Sequence, residues 1–310
     1  MNDREFSEAQ FPYAQAIGAK APPAFPVNAY KGMVGRVLFL AGSPEMPGAA
    51  QLTLRAAQRG GAGLVVLAIF QTEMVDRITS MVPEAVFLDV SRTRDLYAGR
   101  LPSEIGEYPC HARVAGPGLN SSGRTRELVR RVVEDDYKGP LILDADALYV
   151  LAGVPELLTM SQSKVIMTPH PGEAERLLDR PVPDDREGRI EFAVELSLRS
   201  GSICVLKGNG TVVTDGHCVY VNASGGPALA TAGTGDVLAG LLGAYAAWSE
   251  CLQGEGFSLF DAAVSAVYTH GLAGDMAVAD LGERAVIASD LLNYLGPAQL
   301  QLVRSTRDAS

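Results

Sequence analysis

The chain holds little of what secreted, membrane-spanning or metal-centred proteins are built from. Its four cysteines, Cys110, Cys204, Cys218 and Cys251, stand far apart and form no CxxC pair. That spacing argues against a disulfide pair or a metal site and suits buried, reduced thiols in a cytoplasmic protein. The four histidines are equally scattered, with no HExxH or paired-ligand spacing. The longest uninterrupted apolar run, near Leu64–Phe70, is far below the ~18 residues needed to span a bilayer. The first residues, MNDREFSEAQ, lack the basic start and apolar stretch of a secretory signal. Positive charge is also scarce: Lys and Arg number 26 against 36 Asp and Glu, a net charge of −10. Such a chain repels phosphate backbones and anionic lipid, so neither nucleic acid nor membrane is expected as a partner.

What is present suffices for a large core, because 47% of the 310 residues are hydrophobic. Residues 1–30 contain Pro12, Pro22, Pro23 and Pro26 with little periodicity, and read as an irregular leader lying over the body. Beyond them no linker rich in proline, serine or charge divides the chain, so 31–310 is expected to be one domain.

Short apolar runs then alternate with amphipathic stretches. Strands are expected at 36–41, 64–69, 113–115, 141–143, 164–167 and 203–206, with a hairpin of 211–214 and 217–221 around Asp215-Gly216. Helices are expected at 49–59, 123–134, 187–200, from 235 through Trp248, and at 261–279. This rhythm predicts an α/β fold: a mostly parallel central sheet with helices on both faces.

Chemistry in such sheets gathers beyond the carboxyl ends of the strands. Five unusual segments follow expected strands there: AGSPEMPGAA, AGPGLN, DADAL, TPHPGE and KGNGT; a sixth, ATAGTGD, opens a helix. In the last, Gly233 and Gly235 bracket Thr234 and leave free backbone N–H groups at a helix start, an anion site. Asp236 follows, either as a helix-start charge or as a general base beside a phosphoryl group. The segment is neither GxGxxG nor the GxxxxGKS/T phosphate loop. Asp144 and Asp146 could order magnesium or water, or serve a turn. Lys207 could neutralise phosphate or simply be solvated at a strand end. His270, on an apolar helix with Asp275, reads as a packed residue rather than a ligand, and Arg124, Arg126, Arg130 and Arg131 as one solvated helix face.

Taken in order, KGMVGRVLFLAGSPEMPGAA, AGPGLN, LILDADAL, VIMTPHPGEAERL, VLKGNGTVV and ALATAGTGDVLAGLLGA resemble the NAD(P)H-hydrate dehydratase family, from about Lys31 to Asp280. GTGD alone would not separate that family from thiazole or pyrimidine kinases; the ordered set does. The resemblance implies a ribokinase-like fold and repair of nicotinamide cofactors hydrated across the 5,6 double bond, NADHX and NADPHX. The C6 hydroxyl of the S epimer becomes a phosphate ester, and phosphate then leaves to restore NADH or NADPH. A kinase of a small alcohol, stopping at the ester, is the alternative.

Residue by residue, the resemblance makes Asp236 the base and a substrate contact. Ala49 (with Ala50 the second choice), Gly118 and His170 become further contacts to the hydrate. Lys207, Gly208, Asn209, Gly210 and Thr211 wrap the adenosine phosphate, and Gly233, Thr234 and Gly235 form the anion hole. Glu173 is expected either to support Mg²⁺ through water or to cap its helix. ADP is the expected co-substrate, with ATP the alternative. A separate epimerase is implied for the R epimer, since a leader of roughly 30 residues is too short to fold into one, and a homotetramer is the expected assembly. The sequence departs from the family pattern at Ala232, where a glycine is common, and after Leu119.

Overall fold

Alternation within single strands decides the architecture. Val37 and Phe39 belong to one core and Leu38 and Leu40 to another, all four inaccessible to solvent. A strand apolar on both faces must lie inside a sheet covered on both sides. The computed structural model, which describes residues 14–15, 18–95, 99–251 and 256–308, has that arrangement.

The strands are β1 (Ala14–Gln15), β2 (Arg36–Leu40), β3 (Leu64–Ile69), β4 (Val86–Asp89), β5 (Ala112–Ala115), β6 (Pro140–Leu143), β7 (Lys164–Met167), β8 (Ile203–Leu206), β9 (Val212–Thr214) and β10 (Cys218–Val221). The helices are α1 (Pro47–Arg59), α2 (Glu73–Met81), α3 (Ser103–Gly106), α4 (Gly123–Glu134), α5 (Asp146–Tyr149), α6 (Pro171–Leu178), α7 (Arg186–Ser200), α8 (Thr234–Cys251), α9 (Leu259–Leu281) and α10 (Ala288–Asp308).

One sheet runs in the order β1-β10-β9-β8-β7-β6-β5-β2-β3-β4. Only β9 opposes its neighbours, through the Asp215-Gly216 hairpin, where Asp215 Oδ1 accepts from the N–H groups of His217 and Cys218. From β2 the chain moves outward to β4, then returns to place β5 on β2's other side. That reversal opens a crevice at the carboxyl ends of β2 and β5, where open α/β sheets bind ligands. One core lies under α1, α8, α9 and α10, and the other under α4, α6 and α7.

Helices α2 and α10 and strand β4 were not expected from the sequence pattern. Strand β4 is half exposed, so its alternation is blurred, and α10 carries Pro297 inside it. Of the leader, Ala14–Gln15 adds a strand beside β10, Phe25 stacks on Trp248 at 4.6 Å between ring centres, and Lys20 pairs with Asp261 at 3.0 Å. Pro12 lies outside the described residues. The arginine face of α4 is not merely solvated: Arg130 pairs with Glu134, Arg131 with Glu127 and Glu134, and Arg124 lies over the Phe70 ring. Of the four free cysteines only Cys204 is fully buried, the others being half-buried. Among the described residues no helix is long and apolar enough to cross a membrane.

Candidate active site

Sheet register builds the centre of the site. Asp144, Thr168 and Lys207 are each the first residue beyond a strand, on the adjacent β6, β7 and β8. Backbone bonds carry the ladder one step further: Asp144 N–H to the Ala115 carbonyl at 3.1 Å, Thr168 N–H to Leu143 at 3.1 Å, and Lys207 N–H to Pro169 at 2.9 Å. The three side chains therefore converge. Thr168 Oγ1 donates to Asp144 Oδ1 at 2.6 Å, and Lys207 Nζ donates to the same oxygen at 2.8 Å. Glu173 Oε2 lies 3.8 Å from Lys207 Nζ. Burial works against the Lys207 charge, but Asp144 and Glu173 outweigh it and hold the ammonium above the usual lysine range.

The start of α8 faces this cluster. The first N–H groups of a helix have no partner within it, so they and the dipole favour an anion. A Cβ on Gly235 would stand 3.6 Å from Lys207 Nζ, which places the glycine loop beside the ammonium. Gly233 has φ +90°, and a Cβ there would press on Leu52 and Ala288. Ala232 is exposed, so its methyl crowds nothing in the loop. The Thr234 hydroxyl is committed to the Leu229 and Thr231 carbonyls, while its N–H makes only a long bond of 3.5 Å to the Thr231 carbonyl. The carboxyl of Asp236 is raised to about 7, chiefly by burial, then by the Asp144 charge, with Lys207 opposing. A carboxylate poised near neutral pH beside an anion-binding loop can accept a hydroxyl proton.

Between Asp144 and Asp146 the backbone is strained: Ala145 has φ 48° and ψ −117°. This bend sends the two carboxylates to different partners. Asp144 takes Lys207, while Asp146 Oδ2 accepts from Asn120 N–H at 2.8 Å, fixing the loop that carries Gly118. Gly116 makes the bend fit: with φ +127°, a Cβ there would stand 1.7 Å from the Asp144 carbonyl oxygen. Backbone cannot yield by that distance. Gly116→Ala is therefore expected to lower the unfolding free energy by about 3 kcal/mol or more, read as a reduced urea midpoint.

The remaining expected residues fall into two groups around this centre. Ala49 lies in the crevice facing Gly118, where a Cβ on the glycine would meet Ala49 Cβ at 2.7 Å; Ala50 is fully buried in the core. His170 and Glu173 form a capping box at the start of α6, with Glu173 Oε2 accepting from His170 N–H at 2.8 Å and His170 Nδ1 from Glu173 N–H at 3.3 Å. The capping role of Glu173 is thus real, while its carboxylate still lies on the Lys207 side. Among the described residues no group of three side chains is arranged to hold a metal by itself.

KGNGT lines a cavity of about 460 Å³ together with Thr234 and Gly235. Gly208 needs φ +139°, and Arg189 Nη2 braces this turn by donating to the Lys207 carbonyl at 3.1 Å. The cavity is also lined by Asn222, Ser224, Pro227, Leu229, Leu238 and Val267, none of them expected from sequence. His270 is packed, as expected, but it also lines the cavity. The signal for this wall was YTHGLAGD: Asp275 Oδ2 accepts from Gly225 N–H at 2.9 Å and holds the 224–226 loop.

Residues 37–296 match a family described as NAD(P)H-hydrate dehydratase. A bifunctional NAD(P)H-hydrate repair enzyme of Moorella thermoacetica is 36% identical over 282 residues, covering 88% of this chain and 51% of its own length. This chain thus spans about half of that relative. An ADP-dependent (S)-NAD(P)H-hydrate dehydratase of Bacillus subtilis is 32% identical over 275 residues, covering 88% of this chain and 92% of its own. The crystal structure of the Bacillus subtilis ADP/ATP-dependent dehydratase, co-crystallised with ATP and Mg²⁺, has a TM-score of 0.76 and 29% identity over 93% of this chain and 100% of that one. A ribokinase-like protein of Enterococcus faecalis, 22% identical with a TM-score of 0.71, shares the fold.

Proposed function

This chain belongs to the NAD(P)H-hydrate dehydratase family, and from that premise we propose that it dehydrates the S epimers of NADHX and NADPHX with ADP as phosphoryl donor. One observation carries the reading: the Asp236 carboxylate stands at the start of α8, next to the glycine loop and the Lys207 ammonium.

Hydroxide is a poor leaving group and phosphate a good one. Asp236 takes the proton of the C6 hydroxyl as its oxygen bonds to the terminal phosphorus of ADP, and the bond to the bridging oxygen breaks to leave AMP. Amides of Gly233–Gly235 and the Lys207 ammonium face the charge on the transferred group. The lone pair of the ring nitrogen then expels phosphate from C6, and loss of a proton from C5 restores the double bond. Atoms balance as hydrate plus ADP giving reduced cofactor, AMP and phosphate.

Magnesium fits the donor set without a dedicated cage. Hard carboxylate oxygens of Asp144 and Glu173 lie on the phosphate side, and this ion commonly keeps waters and phosphate oxygens as its remaining ligands. Glu173 would hold it through water. When bound, it would neutralise and orient the phosphates. An epimerase would supply the S hydrate from the R epimer, and relatives named bifunctional NAD(P)H-hydrate repair enzymes are in keeping with a second activity in such repair.

The test is optical. Reduced nicotinamide absorbs in the near ultraviolet where its hydrate does not, so the band should return when enzyme, ADP and Mg²⁺ meet the S hydrate. No recovery on either hydrate, with phosphorylation of a thiazole or pyrimidine alcohol instead, would make the chain a kinase.

A further inference from the structure

His270 lines the cavity beyond KGNGT, and one of its ring nitrogens has no hydrogen-bond partner among the described residues. The residue lies on α9 and is 8% exposed. Its Nε2 stands 2.9 Å from the Thr234 carbonyl. A carbonyl can only accept, so Nε2 carries the proton. Burial first, and the Lys207 charge besides, depress the ring to about 4 against the raising effect of the Thr234 bond, so it is neutral at physiological pH. Nδ1 is then a lone pair, and among the described residues no group donates to it.

Several neighbouring polar side chains are engaged within the protein. Asn222 Oδ1 accepts from the Tyr220 hydroxyl and from Ser224 Oγ, each at 3.1 Å, and Asn222 Nδ2 donates to the Ser224 carbonyl at 2.9 Å. The Thr211 hydroxyl donates to the Gly208 carbonyl and that of Thr234 to Leu229. These bonds hold the wall in shape; Lys207 and Asn209 line the same cavity, and His270 adds a buried acceptor to it. Leu229, Leu238 and Val267 supply apolar surface around it.

We infer that His270 is a specificity-determining residue for the nucleotide, its Nδ1 accepting a hydrogen bond from a donor on the nucleoside, either a ribose hydroxyl or the exocyclic amine of the base. The inference rests on the nucleotide reading of the cavity given above. A guanine or hypoxanthine oxygen placed at the same point would set lone pair against lone pair, so the site discriminates by the group it accepts from. Through Nε2 the same ring ties the nucleoside end of the cavity to Thr234, in the middle of the anion-binding loop.

Two amide substitutions separate the two nitrogens. His270→Gln places an amide nitrogen near the Nε2 position, keeping the bond to Thr234 while removing the acceptor. His270→Asn keeps an acceptor near the Nδ1 position and removes the Thr234 bond. Calorimetric titration of the whole chain with ADP, 2′-deoxy-ADP, 3′-deoxy-ADP and IDP gives the readout. In wild type, the analogue lacking the relevant donor should bind about tenfold more weakly than ADP, the worth of one hydrogen bond. His270→Gln should weaken ADP about tenfold and abolish that difference, and the analogue affected identifies ribose or base. His270→Asn should retain the difference, and it serves alone if the Gln variant does not fold. Unchanged discrimination in His270→Gln, lost discrimination in His270→Asn, or a wild type indifferent to all three analogues overturns the inference. A wild type that binds neither ADP nor ATP overturns the nucleotide reading itself.

Discussion

Asp236→Asn is expected to lower kcat by at least about two orders of magnitude while the protein folds and still binds nucleotide. Asparagine keeps the shape and much of the hydrogen bonding but accepts no proton. It also removes a negative charge near the phosphates, so the nucleotide Kd should hold or fall. In wild type the acid limb of the pH–rate profile should sit near the raised carboxyl value of about 7, with kcat/KM rising through it and level above. Stability moves the other way. Because the folded protein holds this proton to higher pH than the unfolded chain, wild type loses stability as pH rises from about 4 to 7. The variant has no such loss, so its Tm advantage should grow across that window and then stay constant. Wild-type kcat in a folded Asp236→Asn protein would reduce Asp236 to a helix-start charge.

Lys207→Met should raise the nucleotide KM at least about tenfold, and more than the hydrate KM, because the side chain keeps its bulk but loses the charge facing phosphate. It should also destabilise the fold. Asp144 is 2% exposed and Lys207 is its only ion-pair partner among the described residues, so removing the cation leaves a buried carboxylate uncompensated. Breaking such a pair typically costs about 3–5 kcal/mol. The double variant Lys207→Met, Asp144→Asn should recover most of that stability without recovering nucleotide affinity. Equal losses in both properties, with no recovery in the double variant, would show that Lys207 serves packing alone.

Much of the fold was legible because periodicity records burial. Strands β2, β3 and β5–β8 are largely apolar and buried on both faces, Arg113 of β5 being the buried exception, and stop at glycine- or polar-rich turns, so both their existence and their parallel pairing follow from the pattern. Strand β4 escaped because it lies half exposed at the sheet edge, where neither alternation nor a continuous apolar run is enforced. Helix α10 escaped because Pro297 interrupts the sequence signal, although packing tolerates it.

The same division runs through the candidate site. Local chemistry was readable where a few adjacent residues suffice: glycines before a helix start, a carboxylate in its first turn, a histidine and glutamate three apart. Sequence by itself therefore determined the strand-to-loop rhythm, the anion-binding turn and the likeness to one family. It left Asp144 and Lys207 each between a structural and a chemical role, and read His270 as packed only, because such roles depend on partners far along the chain. Only the folded sheet shows which partners each of them meets. Adjacent register on β6, β7 and β8 sets Asp144, Thr168 and Lys207 at one level, and the strained bend at Ala145 turns Asp146 away toward Asn120. Packing of α9 against α8 brings His270 to the Thr234 carbonyl. Distance in space, not in sequence, controls electrostatics, so the charges that raise Asp236 became visible only once the strands were in place.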